Sequence, residues 1–160
     1  MIPNNKINLF LVYLTLSAIW LGAAFHDTFY SNYAWFTDPV THIEFTTTHI
    51  VPGALNPWPF STMALLIFTI ISFFLFRKYD GPGKREVNMS IIGTFIILVI
   101  TLVYFVPTLG KIFGDKGLYD AESLISMSRL WVILNLIRFF ILVYLFISGL
   151  RGFAKLSKAS

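Results

Sequence analysis

Apolar residues along this chain fall in long unbroken runs, with no alternating pattern and no narrow 3.6-residue stripe. A helix needs about 20 mostly apolar residues to cross the hydrocarbon core of a bilayer. Four stretches meet that need, at residues 8–25, 60–76, 87–107 and 128–150. Each is apolar around its whole circumference, which suits a lipid-facing helix and not one lying on a water-soluble core. The pattern therefore predicts an all-α fold: an integral membrane bundle of four transmembrane helices, forming a single membrane domain over 1–160, with a long aromatic first outer loop. The first run resembles a secretory signal, with Lys6 before it and the small residues Gly22, Ala23 and Ala24 at its end. It is read as a retained helix.

Composition agrees with the pattern. Of 160 residues, 56% are apolar and only 12% charged, half the roughly 25% typical of a soluble domain. The placement of charge says more than its net value of +4. Lys6, Arg77, Lys78, Lys84, Arg85, Arg151, Lys155 and Lys158 fall on one side of the spans, and Lys111, Lys116 and Arg129 on the other. Basic residues concentrate on the cytoplasmic face, so both termini are expected there, with the protein in an inner or plasma membrane. No basic run interleaved with aromatics supports nucleic-acid binding. Cysteine is absent, which removes thiolate chemistry and Cys-ligated metals. Membrane lipid and a small lipophilic molecule are the expected partners, with a homo-oligomer or a larger membrane complex as the assembly to consider.

The first outer loop, 26–59, has no Lys or Arg but holds all three histidines, His26, His42 and His49. It also carries Tyr30, Tyr33, Trp35, Phe36, Phe45 and Trp58. At about 34 residues it is longer than a plain connection needs, and it reads either as an interfacial aromatic belt or as a lid over the bundle mouth. Asp38-Pro39 reads as a helix N-cap followed by proline at the first helical position. A helix beyond it would put His42 and His49 on one face; a strand would pair His42 with Glu44 instead. Imidazole and carboxylate together suit zinc, copper or iron, so His26, His42, His49 and Glu44 form a candidate transition-metal set. Their spacing matches no named metal motif.

The fourth span carries the sequence Trp131-x-x-x-Asn135-x-x-Arg138. Offsets of four and seven residues fall within about 40° of the starting direction, so the three share a helix face. Ser128 extends that face outward. Counting from Ser128, Arg138 is roughly 15 Å into the membrane, near its midplane. A charge there costs about 2.5–3.5 kcal/mol on insertion scales, so the guanidinium is expected to face the bundle interior. No acid lies within the four apolar runs, which leaves backbone carbonyls, hydroxyls, amides, water or an anionic ligand as partners. Thr15, Ser17, Ser72, Thr94 and Thr101 are read as small packing residues. Pro107 would leave the Val103 carbonyl without its helical donor.

Three features resemble the four-helix membrane family that includes the anthrone oxygenases (DUF1772). They are the four-span layout with its long first loop, the Asn56-Pro57-Trp58-Pro59-Phe60 lead into the second span, and the Trp131/Asn135/Arg138 face together with Val106-Pro107 at the end of the third span. The resemblance implies oxygenation of an aromatic polyketide with neither metal nor flavin. His26 or His49 would be the base that takes an acidic C–H proton. Arg138 and Asn135 would hold the resulting enolate oxygen, and Trp131, with Trp35 and Trp58, would line the aromatic pocket. Two other readings stand beside it: an outer-face metalloprotein ligated by His26, His42, His49 and Glu44, and a non-catalytic subunit in which Arg138 staples helices together.

Overall fold

The structure is a computed structural model, and it describes residues 4–41, 57–114 and 120–158. Its helices are α1 (Asn4–His26), α2 (Asn32–Thr37), α3 (Pro57–Phe76), α4 (Lys84–Ile100), α5 (Val106–Gly114) and α6 (Ala121–Ser157). A five-residue π-helical segment, π1 (Asp27–Ser31), joins α1 to α2, and another, π2 (Thr101–Phe105), joins α4 to α5. Among the described residues there is no strand. The chain is thus an all-α, four-span membrane protein, with candidate spans Asn5–Phe29, Trp58–Phe76, Lys84–Phe113 and Ala121–Ser157. Only 22–39% of the most apolar window of each span is buried within the protein. Ile19, Phe60, Phe74, Val103 and Phe140 are among the large apolar side chains left exposed. In water such a surface would drive association; in a bilayer it meets lipid.

The observed helices outrun the apolar stretches in three places. The first does not stop at Phe25: α1 passes into π1 and then α2, so residues 26–37 are helical and not loop. The third does not close at Val106-Pro107, because π2 precedes the proline and α5 continues to Gly114. In π2 the Val106 amide donates to the Thr101 carbonyl, five residues back. That wider turn fits a helix carrying a proline, which has no N–H to give to the preceding turn. The fourth helix runs 37 residues, well beyond 128–150 at both ends. Asp120 starts it by accepting the Ser123 amide at 2.7 Å. The Asp38 cap is also present, with Oδ1 accepting the Thr41 amide at 3.3 Å.

Two compact units divide the chain. The first comprises Met1–Gly22, Pro57–Leu98 and Phe140–Ser160, and each of α1, α3, α4 and α6 contributes to it. Its core includes Phe10, Tyr13, Trp20, Leu65, Phe76, Val87, Leu98 and Leu156. Buried polar groups here are joined across helices. The Tyr13 hydroxyl donates to the Ser90 carbonyl at 3.1 Å and lies 2.9 Å from the Thr94 hydroxyl. The Trp20 indole donates to Thr62 at 3.1 Å. Small residues let α4 and α6 approach: a Cβ on Gly152 would meet Val87 Cγ2 at 2.8 Å, and one on Gly149 would meet Ser90 Oγ at 2.7 Å. Gly83 caps the start of α4 with a φ of 85°, a backbone conformation that residues with a Cβ rarely adopt. The second unit comprises Ala23–Asn56 and Val99–Phe139 and holds its own core of Trp35, Phe105, Ile112 and Trp131.

Candidate functional site

The second unit contains the polar face anticipated on the fourth span. Trp131, Asn135 and Arg138 are all buried, at 7%, 1% and 9% exposure, although the flanking residues Leu130, Ile133, Leu136 and Ile137 are open. The helix therefore turns its polar stripe inward and its apolar sides outward, as a membrane helix must when it carries a charge.

What meets that face comes from the two π segments. Arg138 donates through Nη1 to the Thr101 hydroxyl at 3.2 Å and through Nη2 to Asn135 Oδ1. Its guanidinium carbon lies 4.2 Å from the centroid of the Phe105 ring, a cation–π contact. Asn135 Nδ2 in turn donates to the Thr28 hydroxyl at 3.3 Å. A continuous hydrogen-bonded line thus runs from Thr101 in π2, through Arg138 and Asn135 on α6, to Thr28 in π1. Asp27, the first residue of π1, is close enough for its charge to act on Arg138. The apolar runs held no acid because the first was taken to end at Phe25; continuation of the helix brings Asp27 into the span.

Aromatic rings enclose the same face. The Trp131 indole donates to the Phe105 carbonyl at 3.3 Å, the last residue of π2. Trp35 lies 5.2 Å from Trp131 and 5.0 Å from Phe113, centroid to centroid, and Phe105 lies 5.7 Å from Trp131. Ser128 is fully buried, and its hydroxyl has no hydrogen-bond partner among the described residues. It sits seven residues before Asn135, on the same side of α6. A buried hydroxyl without a partner is uncommon, and this one leaves a donor and an acceptor available beside the tryptophans.

The remaining candidates are placed differently. Trp58 belongs to the first unit, where it packs edge-on against Trp20 at 5.8 Å. His26 ends α1, exposed, with Nδ1 3.6 Å from Asp27 Oδ1. His42, Glu44 and His49 lie outside the described residues. Among the described residues, no group of three or more His, Asp or Glu side chains gathers where a metal ion would sit.

Thr28, Thr101 and Phe105 were not singled out by the sequence as site residues. Thr101 read as packing, yet its hydroxyl accepts from the buried arginine. Phe105 contributes both its ring and its carbonyl. The available signal was Pro107, which marks a disturbed turn just before it; nothing comparable marks π1. No protein family, curated protein or solved structure matches this chain.

Proposed function

We propose that the second unit binds a small lipophilic molecule that has an aromatic ring and an anionic or enolic oxygen, and that it acts on that molecule as a cofactor-independent oxygenase. The observation that carries the reading is the line Thr101–Arg138–Asn135–Thr28, set against the Trp35–Trp131 pair. Hydrogen-bond donors held in place before the ligand arrives stabilise a developing oxyanion most effectively. π turns concentrate at functional sites, and here both supply a hydroxyl to the same pair of residues. The unpartnered Ser128 hydroxyl adds a further polar contact for a ligand.

In the oxygenase form of the reading, a base removes a proton from the activated CH₂ of an anthrone-like ring system. Arg138 and Asn135 hold the enolate oxygen. The carbanion passes one electron to O₂, and recombination with the resulting superoxide forms a C–O bond. After protonation, the hydroperoxide loses water to leave a ketone, so CH₂ and O₂ become C=O and H₂O. His26, beside Asp27, is the base candidate among the described residues. Charge asymmetry supports an orientation with both termini in the cytoplasm of an inner or plasma membrane.

A second reading has its own support, since protein groups already receive hydrogen bonds from both Nη1 and Nη2 of Arg138. In that reading Arg138 ties α6 to π2 within a non-catalytic subunit of a larger complex. Binding separates the two. Anthrone titrated into the detergent-purified protein is expected to quench tryptophan fluorescence saturably. Arg138→Leu is expected to weaken that binding at least about tenfold, the equivalent of one lost charge-assisted hydrogen bond. Oxygen consumption with anthrone then reports turnover. An Arg138→Leu protein that still folds and keeps full affinity and turnover would exclude the enzyme reading and favour the staple.

A further inference from the structure

Within the first unit, α4 and α6 leave a groove of about 200 Å³ lined by Arg85, Glu86, Met89, Tyr144, Ile147, Ser148 and Arg151. Its two ends differ in chemistry. Arg85 precedes Met89 by one turn of α4, and Arg151 follows Tyr144 by two turns of α6, so both guanidinium groups lie at the same end. Met89, Tyr144 and Ile147 line the other end, with the Tyr144 hydroxyl 3.5 Å from the Met89 sulfur. Tyr144 and Ile147 are substantially exposed.

The one acid in the groove is already engaged. The Glu86 carboxylate accepts from Lys155 Nζ, and Ser148 donates to the Glu86 carbonyl at 3.2 Å. Arg85 and Arg151 form no salt bridge among the described residues. The mouth of the groove thus carries two guanidinium groups against a single carboxylate, which Lys155 also engages. Met89, Tyr144 and Ile147 supply apolar lining, and Tyr144 and Ile147 are also open at the surface.

We infer that this groove is a binding site for one anionic phospholipid. The phosphate is held between Arg85 and Arg151, and the first part of an acyl chain lies along Met89, Ile147 and Tyr144. Arginine suits this task because its planar fork of donors matches phosphate geometry. The groove belongs to the end of the molecule that carries most of the Lys and Arg residues. Basic pockets between membrane helices on that side are where anionic headgroups dock. A free phosphate would use only the arginines; a lipid needs the apolar end as well.

Native mass spectrometry of the full-length protein, with phosphatidylglycerol or phosphatidylcholine titrated into detergent, tests the inference. Wild type is expected to retain one phosphatidylglycerol in preference to phosphatidylcholine. Two surface arginines near lipid phosphate together account for a factor of roughly thirty in affinity. The R85Q/R151Q pair is expected to lose that preference, and K78Q/K158Q, which removes the same charge elsewhere on that side, is expected to keep it. Ile147→Trp, which fills the apolar end and leaves both arginines in place, is expected to weaken retention as well. Equal retention of the two lipids by wild type, or equal loss in both double variants, would overturn the inference. So would displacement of phosphatidylglycerol by equimolar soluble glycerol phosphate, or an Ile147→Trp protein that binds like wild type.

Discussion

Replacing Asn135 with leucine is expected to destabilise the protein more than replacing the charged Arg138, and replacing both is expected to be the least harmful of the three. Asn135→Leu leaves the guanidinium in place but takes away the amide oxygen that receives Nη2. A lost hydrogen bond to a charged group contributes about 1.5–3 kcal/mol. Loss of the Thr28 contact adds about 0.6 kcal/mol, the average for polar contacts between membrane helices. Arg138→Leu works in both directions. It relieves an insertion penalty of about 2.5–3.5 kcal/mol. Against that it gives up the Thr101 bond, about 0.6 kcal/mol, and the Phe105 contact, about 0.5–1 kcal/mol. It also strands Asn135 Oδ1, at about 1–3 kcal/mol. These terms nearly cancel, so the net change should fall within about 1 kcal/mol of zero. The double variant relieves the charge and leaves only the Thr28 and Thr101 hydroxyls without these donors, and a threonine hydroxyl can turn back to a carbonyl of its own helix. The resulting coupling in a double-mutant cycle is at least about 2 kcal/mol. Unfolding in mixed micelles of rising SDS fraction, followed by tryptophan fluorescence, measures all four proteins. An Asn135→Leu shift below about 0.5 kcal/mol, or additive effects, would refute the claim that these two side chains form one buried unit.

Other perturbations address other parts of the molecule. Pro107→Ala returns an amide donor to the turn before α5, so π2 is expected to relax toward α geometry. Thr101 and Phe105 would then leave Arg138, and anthrone affinity should fall by a larger factor than any change in unfolding midpoint would suggest. Trp131→Phe removes the indole donor to the Phe105 carbonyl and is expected to lower stability by about 1 kcal/mol, read in the same micelle titration. The Asp120 carboxyl is held below the usual carboxylate range, chiefly because it accepts the Ser123 backbone amide. Its folded pKa is therefore the lower one, and the cap contributes above the unfolded value of about 4 and fades as pH falls through the folded value. Asp120→Ala should accordingly lower the melting temperature at neutral pH, and the difference from wild type should close in acid. Gly152→Leu should push α4 from α6 and lower the yield of folded protein, measured by size-exclusion chromatography, because even a Cβ there would lie 2.8 Å from Val87 Cγ2.

The four spans and the shared face of Trp131, Asn135 and Arg138 were legible in the sequence, because both follow from simple periodicity: run length for the spans and helical angle for the face. The partners of that face were not. Thr28 is 107 residues from Asn135, and Thr101 is 37 from Arg138. Threonine in an apolar run has no feature that separates packing from hydrogen bonding. Helix ends were misjudged for a related reason. His26 and Asp27 look like the end of an apolar run, and Pro107 looks like a stop. Backbone hydrogen bonding does not end where hydropathy falls, and a π turn lets a helix carry a proline onward. Residue type likewise does not tell that Trp20 is a neighbour of Trp58.

A π turn is an α-helix that has taken in one residue too many. Each such turn resets the angular phase of everything that follows it, by about 100° for one residue. Removing a single residue within Asp27–Ser31 or Thr101–Phe105 would therefore leave a continuous, fully hydrogen-bonded helix of nearly the same length. It would also swing the downstream side chains onto a different face. In most proteins a one-residue deletion inside a helix is a blunt injury. Here it would be a register change, one that leaves the helix intact and parts Trp35 or Phe105, which lie downstream, from Trp131.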